Sequence, residues 1–144
     1  MKENDSKAEL TVEAVVDNLG IVTSFVDKRL EAVECPAKVQ MKINIAIDEI
    51  FSNIAYYAYC PGTGMVTVQT EILEEPLTAC ITFMDQGMPY NPLSVPDPDI
   101  SLSVEERQIG GLGFYLVRKS MDDVSYEYRG GENILTIKKR IHPA

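Results

Sequence analysis

Glu49 and Asn53 stand four residues apart in Asp48-Glu49-Ile50-Phe51-Ser52-Asn53. On a helix that spacing puts both side chains on one face, about one turn apart. A carboxylate and an amide set among isoleucines and Phe51 each need a polar partner. A hydrated Mg²⁺ serves both: the amide oxygen ligates it, and the carboxylate polarises a nearby water or hydroxyl. Mg²⁺ suits such a pair because it takes few protein ligands and keeps waters and phosphates. The plainer reading is a polar strip that faces water together with Asp48 and Ser52.

Two further groups carry chemistry. Asp85-Gln86-Gly87 follows an apolar strand segment. A carboxylate at a strand end accepts a hydrogen bond from an exocyclic amine such as adenine N6; the alternative is an ordinary Asp-x-Gly turn. Gly110-Gly111-Leu112-Gly113 precedes a helical segment. Glycines let the backbone approach a phosphate, and a helix N-terminus offers free N–H groups and the positive end of its dipole. A flexible hinge is the alternative. The motif is not a Walker A loop, because no Gly-Lys-Ser/Thr is present. Nor is it a dinucleotide fingerprint, because no βαβ unit surrounds it.

Periodicity supplies the elements that must position these groups. Residues 8–15 alternate, with Leu10, Val12 and Ala14 on one side, as in a half-buried strand. Apolar residues at spacings of three and four predict a helix over 17–34, capped by Asp17. Pro36 suits the first position of a second helix, which runs to about Tyr59. Strands are predicted at 65–73, 77–84, 124–128 and 134–141, with a third helix from Phe114 to about Met121. Gly130-Gly131 signals a hairpin between the last two strands. Residues 87–112 read as a long loop with four prolines in its first half, followed by Ser103 and Glu106 in capping-box spacing. This order predicts an α+β fold, with helices stacked on one face of a mostly antiparallel sheet.

Bulk properties narrow the function classes. The 144 residues suit one domain, and the net charge of −9 disfavours binding to a nucleic-acid backbone. No apolar run approaches the length of a membrane span. The polar N-terminus does not read as a signal peptide. Three cysteines without metal-type spacing (Cys35, Cys60 and Cys80) argue against a disulfide framework or zinc site, and so for a reducing cytoplasm.

Taken in order, these motifs resemble the GHKL superfamily of Bergerat-fold ATPases and kinases, and within it the small anti-sigma-factor serine/threonine kinase branch. The resemblance rests on residues 48–53, on Asp85-Gln86-Gly87-Met88-Pro89-Tyr90-Asn91-Pro92, and on Gly111-Leu112-Gly113-Phe114 leading to Met121-Asp122-Asp123-Val124. It implies a single domain over 1–144, a two-layer α/β sandwich that binds ATP and Mg²⁺. Asn53 would ligate the metal and Glu49 would act as general base. Asp85 would recognise adenine, with Gly87 shaping the pocket. Gly110, Gly111, Leu112 and Gly113 would line the phosphates, and residues 88–112 would form the lid. Arg107 would lie near the γ-phosphate and Thr136 near adenine. An anti-anti-sigma (STAS-type) protein would be the substrate and a sigma factor the sequestered client, with the kinase a homodimer.

The chain departs from the family pattern at Tyr56, Tyr57 and Tyr59, where relatives often carry a His-Gly or His-Ala pair. A nucleotide-gated protein-binding module without phosphotransfer is the alternative function. A histidine-kinase fragment fits poorly, because the one histidine, His142, lies near the chain's end.

Overall fold

The structure is a computed structural model that describes residues 7–94 and 111–142. Its first strand, β1 (Lys7–Glu13), leads through a 3-10 turn (Val16–Asn18) into α1 (Leu19–Ala32) and α2 (Ala37–Asn53). The hairpin β2 (Met65–Leu73) and β3 (Thr78–Asp85) follows. After a 3-10 turn at Pro92–Ser94 come α3 (Gly111–Ser120), β4 (Asp123–Arg129) and β5 (Glu132–Arg140). The strands form one five-stranded sheet in the order β1-β2-β3-β5-β4, and every neighbouring pair is antiparallel.

Period-two patterning decides which face is covered. Val66, Val68, Ala79, Ile81, Phe83, Leu135 and Ile137 are buried on one face of the sheet. Against them pack Val22, Val26 and Leu30 of α1, the apolar stripe of α2 centred on Ile43, Ile47 and Ile50, and Phe114 and Val117 of α3. The opposite face is polar and laced by hydroxyl pairs, Thr11 with Thr67 at 2.8 Å and Thr82 with Thr136 at 3.2 Å. The α+β class and the one-sided helical layer thus follow from the alternation of apolar residues along each strand.

Local chemistry sets the boundaries. Gly130 and Gly131 have φ of 62° and 81°, the left-handed pair that a two-residue hairpin between β4 and β5 needs. The Asp17 cap does not form: α1 starts at Leu19, and the Asn18 side chain donates instead to the Glu13 carbonyl at 2.9 Å. The second helix does not continue regularly to Tyr59. It is α-helical to Asn53 and then widens into a π turn over Ile54–Ala58. The third helix starts at Gly111 rather than Phe114, so the glycines form its first turn.

The α3–β4 turn is tied to β5 by Asp122. Its backbone N–H donates to the Lys138 carbonyl at 2.8 Å, and its carboxylate accepts from the Arg140 N–H at 2.6 Å. That carboxylate also faces the buried Lys139 ammonium at 3.8 Å. This tight turn reverses the chain, so α3 runs opposite to β4. The N-terminus of α3 therefore points to the sheet end where Asp85 pairs with Asn133.

Candidate functional site

The site is built where α2 ends. Glu49 and Asn53 occupy its last turns, both half-buried, while Asp48 faces water and accepts a hydrogen bond from the Ser52 hydroxyl at 3.2 Å. The polar strip is therefore real for Asp48 and Ser52, and Glu49 and Asn53 lie on the neighbouring stripe. No side-chain hydrogen bond or ion pair from another described residue occupies the Glu49 carboxylate or the Asn53 amide. Burial, and then the charge of Asp48, pushes the Glu49 carboxyl above its ordinary value. That moves it toward the range in which a carboxylate takes a proton near neutral pH.

The π turn fixes the position of Asn53 relative to β3. Such turns are single-residue expansions of a helix and recur at functional sites. Here the turn brings the Ala58 carbonyl to the Met88 N–H at 2.8 Å. A Cβ on Gly87 would lie 2.3 Å from the Ala58 oxygen, so only glycine fits there. Tyr59 adds a second tie. Its hydroxyl donates to the Met65 carbonyl at 2.6 Å and accepts from the Gln86 N–H at 2.7 Å. Its neighbours Tyr56 and Tyr57 are exposed, at 61% and 62%.

Asp85 ends β3 and is only 5% exposed. Its Oδ1 accepts from the Gly87 N–H at 2.9 Å, which is the Asp-x-Gly turn anticipated as the plainer reading. The same oxygen accepts from Asn133 Nδ2 at 3.0 Å. Hydrogen bonds from described residues thus fall on Oδ1, leaving Oδ2 as the acceptor for a ligand amine. The turn and the binding role coexist, because a carboxylate has two oxygens.

Sequence reasoning missed Asn133. It stands directly opposite Asp85 on β5 and reaches back to residues 87–90. Tyr126, also missed, donates its hydroxyl to Asn133 Oδ1. Strand parity held the signal: Asn133, Leu135 and Ile137 share a face by their period of two.

The same parity corrects Thr136. It pairs with Thr82 on the opposite face of the sheet from Asp85 and Asn133, so it is not brought to this site. Gly111, Leu112 and Gly113 form the first backbone turn of α3, whose free N–H groups are directed toward the Asp85 end. Arg107, Gly110, the Ser103–Glu106 pair and most of the expected lid lie outside the described residues.

The donor set can be tested against Mg²⁺. Among the described residues no group of three or more His, Cys, Asp or Glu side chains is placed to hold a metal ion. That is unlike an all-protein cage, but it fits an ion held by one amide oxygen, water and phosphate. Asn53, whose amide has no hydrogen-bond partner among the described residues, meets that requirement.

Comparison with known proteins identifies the family. A profile of the histidine kinase-like ATPase domain matches residues 12–139, and the chain belongs to that family. The structure resembles the RsbU and RsbW domains of a Mycobacterium tuberculosis protein, with a TM-score of 0.67 and 14% identity. That match covers 96% of this chain and 33% of the other, and it shows the shared fold.

Among relatives, the serine/threonine-protein kinase BtrW of Bordetella bronchiseptica is 27% identical over 107 residues, 74% of this chain and 75% of BtrW. The serine-protein kinase RsbW of Bacillus mycoides is 26% identical over 142 residues, 96% of this chain and 88% of that protein. RsbW of Bacillus cereus is 31% identical over 98 residues, 67% of this chain and 61% of that protein. Among the described residues no helix is long and apolar enough to cross a membrane.

Proposed function

We propose that this chain is a protein serine/threonine kinase that uses ATP with Mg²⁺ at the α2–β3 end of the fold. The observation that carries the proposal is the Glu49–Asn53 pair. Both side chains are half-buried and unclaimed by described residues, and the π turn that follows Asn53 is tied through Ala58 to the Asp85 turn. The names of the BtrW and RsbW relatives support the same activity.

In this reading Asp85 Oδ2 accepts the adenine amine, and the backbone of Gly111 and Gly113 meets the phosphates. Asn53 holds Mg²⁺, which when bound offsets phosphate charge. A partner's Ser or Thr hydroxyl attacks the γ-phosphorus. Its proton passes to Glu49 as the new O–P bond forms, and the bond to the β-phosphate oxygen breaks, releasing ADP. The raised affinity of Glu49 for a proton favours this role over passive nucleotide-gated binding, which needs no base there.

The resemblance to the anti-sigma-factor kinase branch suggests the partners: a small anti-anti-sigma (STAS-type) protein as phosphoacceptor and a sigma factor as the sequestered client. A cytoplasmic homodimer is part of the same reading. The test is transfer of labelled phosphate from ATP to an anti-anti-sigma protein encoded nearby. Glu49→Gln should bind ATP with unchanged affinity and lose transfer by a hundredfold or more, the scale of general-base catalysis. Wild-type transfer by that variant would remove Glu49 from the mechanism.

A further inference from the structure

Asn133 carries more hydrogen bonds than any residue assigned a role above. Its Nδ2 donates to Asp85 Oδ1 at 3.0 Å and to the Met88 carbonyl at 3.0 Å, with the Gly87 carbonyl at 3.4 Å sharing the second donation. Its Oδ1 accepts from the Tyr90 N–H at 3.1 Å and from the Tyr126 hydroxyl. The orientation of the amide is determined, not chosen. The Tyr90 N–H can only donate, whereas the Met88 carbonyl and the Asp85 carboxylate can only accept. Burial, and to a lesser degree the Asp85 charge, raises the Tyr126 phenol and keeps it protonated as a donor.

This count decides what Asn133 does. A side-chain amide has two N–H groups and an oxygen with two lone pairs, and all four are used. Nothing is left with which to touch a nucleobase. At 7% exposure the residue is also too buried to trade these partners for water. Asn133 therefore acts on a ligand only through what it holds: Asp85 Oδ1 on one side and residues 88–90 on the other.

We propose that Asn133, held in place by the Tyr126 hydroxyl, is the positioning residue that sets base selectivity, by presenting Asp85 with Oδ2 turned outward as an acceptor. The proposal rests on the ATP-binding reading above. It assigns the preference for a 6-amino purine to a three-residue relay, Tyr126 to Asn133 to Asp85, drawn from three strands. The relay also explains why Tyr126 is a tyrosine. Phenylalanine would cover the same apolar surface but leave one lone pair of the amide empty. The amide would keep its sense but be held at one point fewer, so its hydrogen bond to Asp85 Oδ1 would slacken and Oδ2 would lose its fixed direction.

The experiment compares the affinity for ATP with that for inosine triphosphate, which has an oxygen where ATP has the amine. It uses wild type, Tyr126→Phe and Asn133→Asp, with thermal melts to verify folding. Tyr126→Phe removes one hydroxyl and keeps the ring, so it tests the relay even if Asn133→Asp fails to fold. The expected result is a loss of about tenfold in the ATP-to-inosine ratio for Tyr126→Phe, arising from weaker ATP binding with inosine triphosphate unchanged. That is the effect of disturbing one hydrogen bond to a charged group. Asn133→Asp replaces the amide that donates to Asp85 with a second acceptor, so the two side chains repel, and should narrow the ratio further.

An unchanged ratio in Tyr126→Phe overturns the relay and leaves the nucleotide site standing. An equal loss for both nucleotides also overturns it, because a merely structural role predicts that outcome. A wild-type protein that binds neither nucleotide overturns the proposed function and the relay together.

Discussion

Gly87→Ala isolates the contact that joins the two halves of the site. The added Cβ would meet the Ala58 carbonyl oxygen at 2.3 Å, its carbon at 2.6 Å and the Ala58 Cβ at 2.6 Å. Ordinary contact begins at 3.4 Å, so the two backbones must part by roughly 1 Å. Two of the three obstructing atoms are backbone, so no rotamer change relieves the clash. Parting also breaks the 2.8 Å hydrogen bond from Met88 to Ala58. Overpacking costs about 1–3 kcal/mol and a lost backbone hydrogen bond about 1 kcal/mol, giving about 2–4 kcal/mol together.

Urea unfolding checks this. With a slope of about 2 kcal/mol per molar, the midpoint should fall by about 1–2 M. Gly20→Ala is the control, since nothing lies within 4 Å of its Cβ and it sits in α1. Alanine there should be neutral or stabilise by about 0.5 kcal/mol. Because the clash separates Asn53 from Asp85, ATP affinity should also fall in Gly87→Ala and not in Gly20→Ala. A Gly87→Ala protein with a wild-type midpoint would refute the claim that this contact sets the spacing of the site.

Glu49→Gln bears on stability as well as transfer. A carboxyl raised by folding binds more protons in the folded than in the unfolded state, so wild-type stability falls as pH rises from about 4.5, the ordinary value, through the raised one. Glutamine does not titrate. The variant should therefore be the more stable protein at neutral pH in the absence of metal, with the gap closing toward about pH 4; denaturant melts at several pH values read this directly, and a gap of opposite sign would contradict it. At the far end of the sheet, Asp122→Ala leaves Lys139, 8% exposed, without its carboxylate partner among the described residues and removes the acceptor of the Arg140 N–H. It should cost about 2–3 kcal/mol without altering ATP affinity, and a loss of nucleotide binding at unchanged stability would contradict that separation.

Most of the scaffold could be read from spacing alone. Leu10 and Val12 in β1, the three- and four-residue spacing of Ile43, Ile47 and Ile50 in α2, and the Gly130-Gly131 turn each obey a local rule, and the structure obeys the same rules. Features set by one residue of offset were harder to see. The π turn after Asn53 leaves the apolar pattern of residues 54–59 nearly unchanged, because one extra residue per turn shifts a stripe without erasing it. Asn133 lies beside a glycine pair and reads as turn chemistry, whereas its role comes from cross-strand pairing with Asp85, 48 positions away. Thr136 differs in origin: the family resemblance puts it near adenine, whereas the parity of Leu135 and Ile137 beside it puts it on the other face of the sheet. Both roles of Asp85 are legible in the sequence, but only the fold shows that the turn and the open acceptor use different oxygens.

The central claim is that ATP binds here with Mg²⁺ on Asn53. Calorimetric titration of wild type and Asn53→Ala with ATP, in Mg²⁺ and in a chelator, tests it most directly. Wild type should bind Mg·ATP more tightly than metal-free ATP, and Asn53→Ala should lose that gain while retaining the weaker metal-free affinity. Equal affinity of the two proteins for Mg·ATP would contradict the assignment.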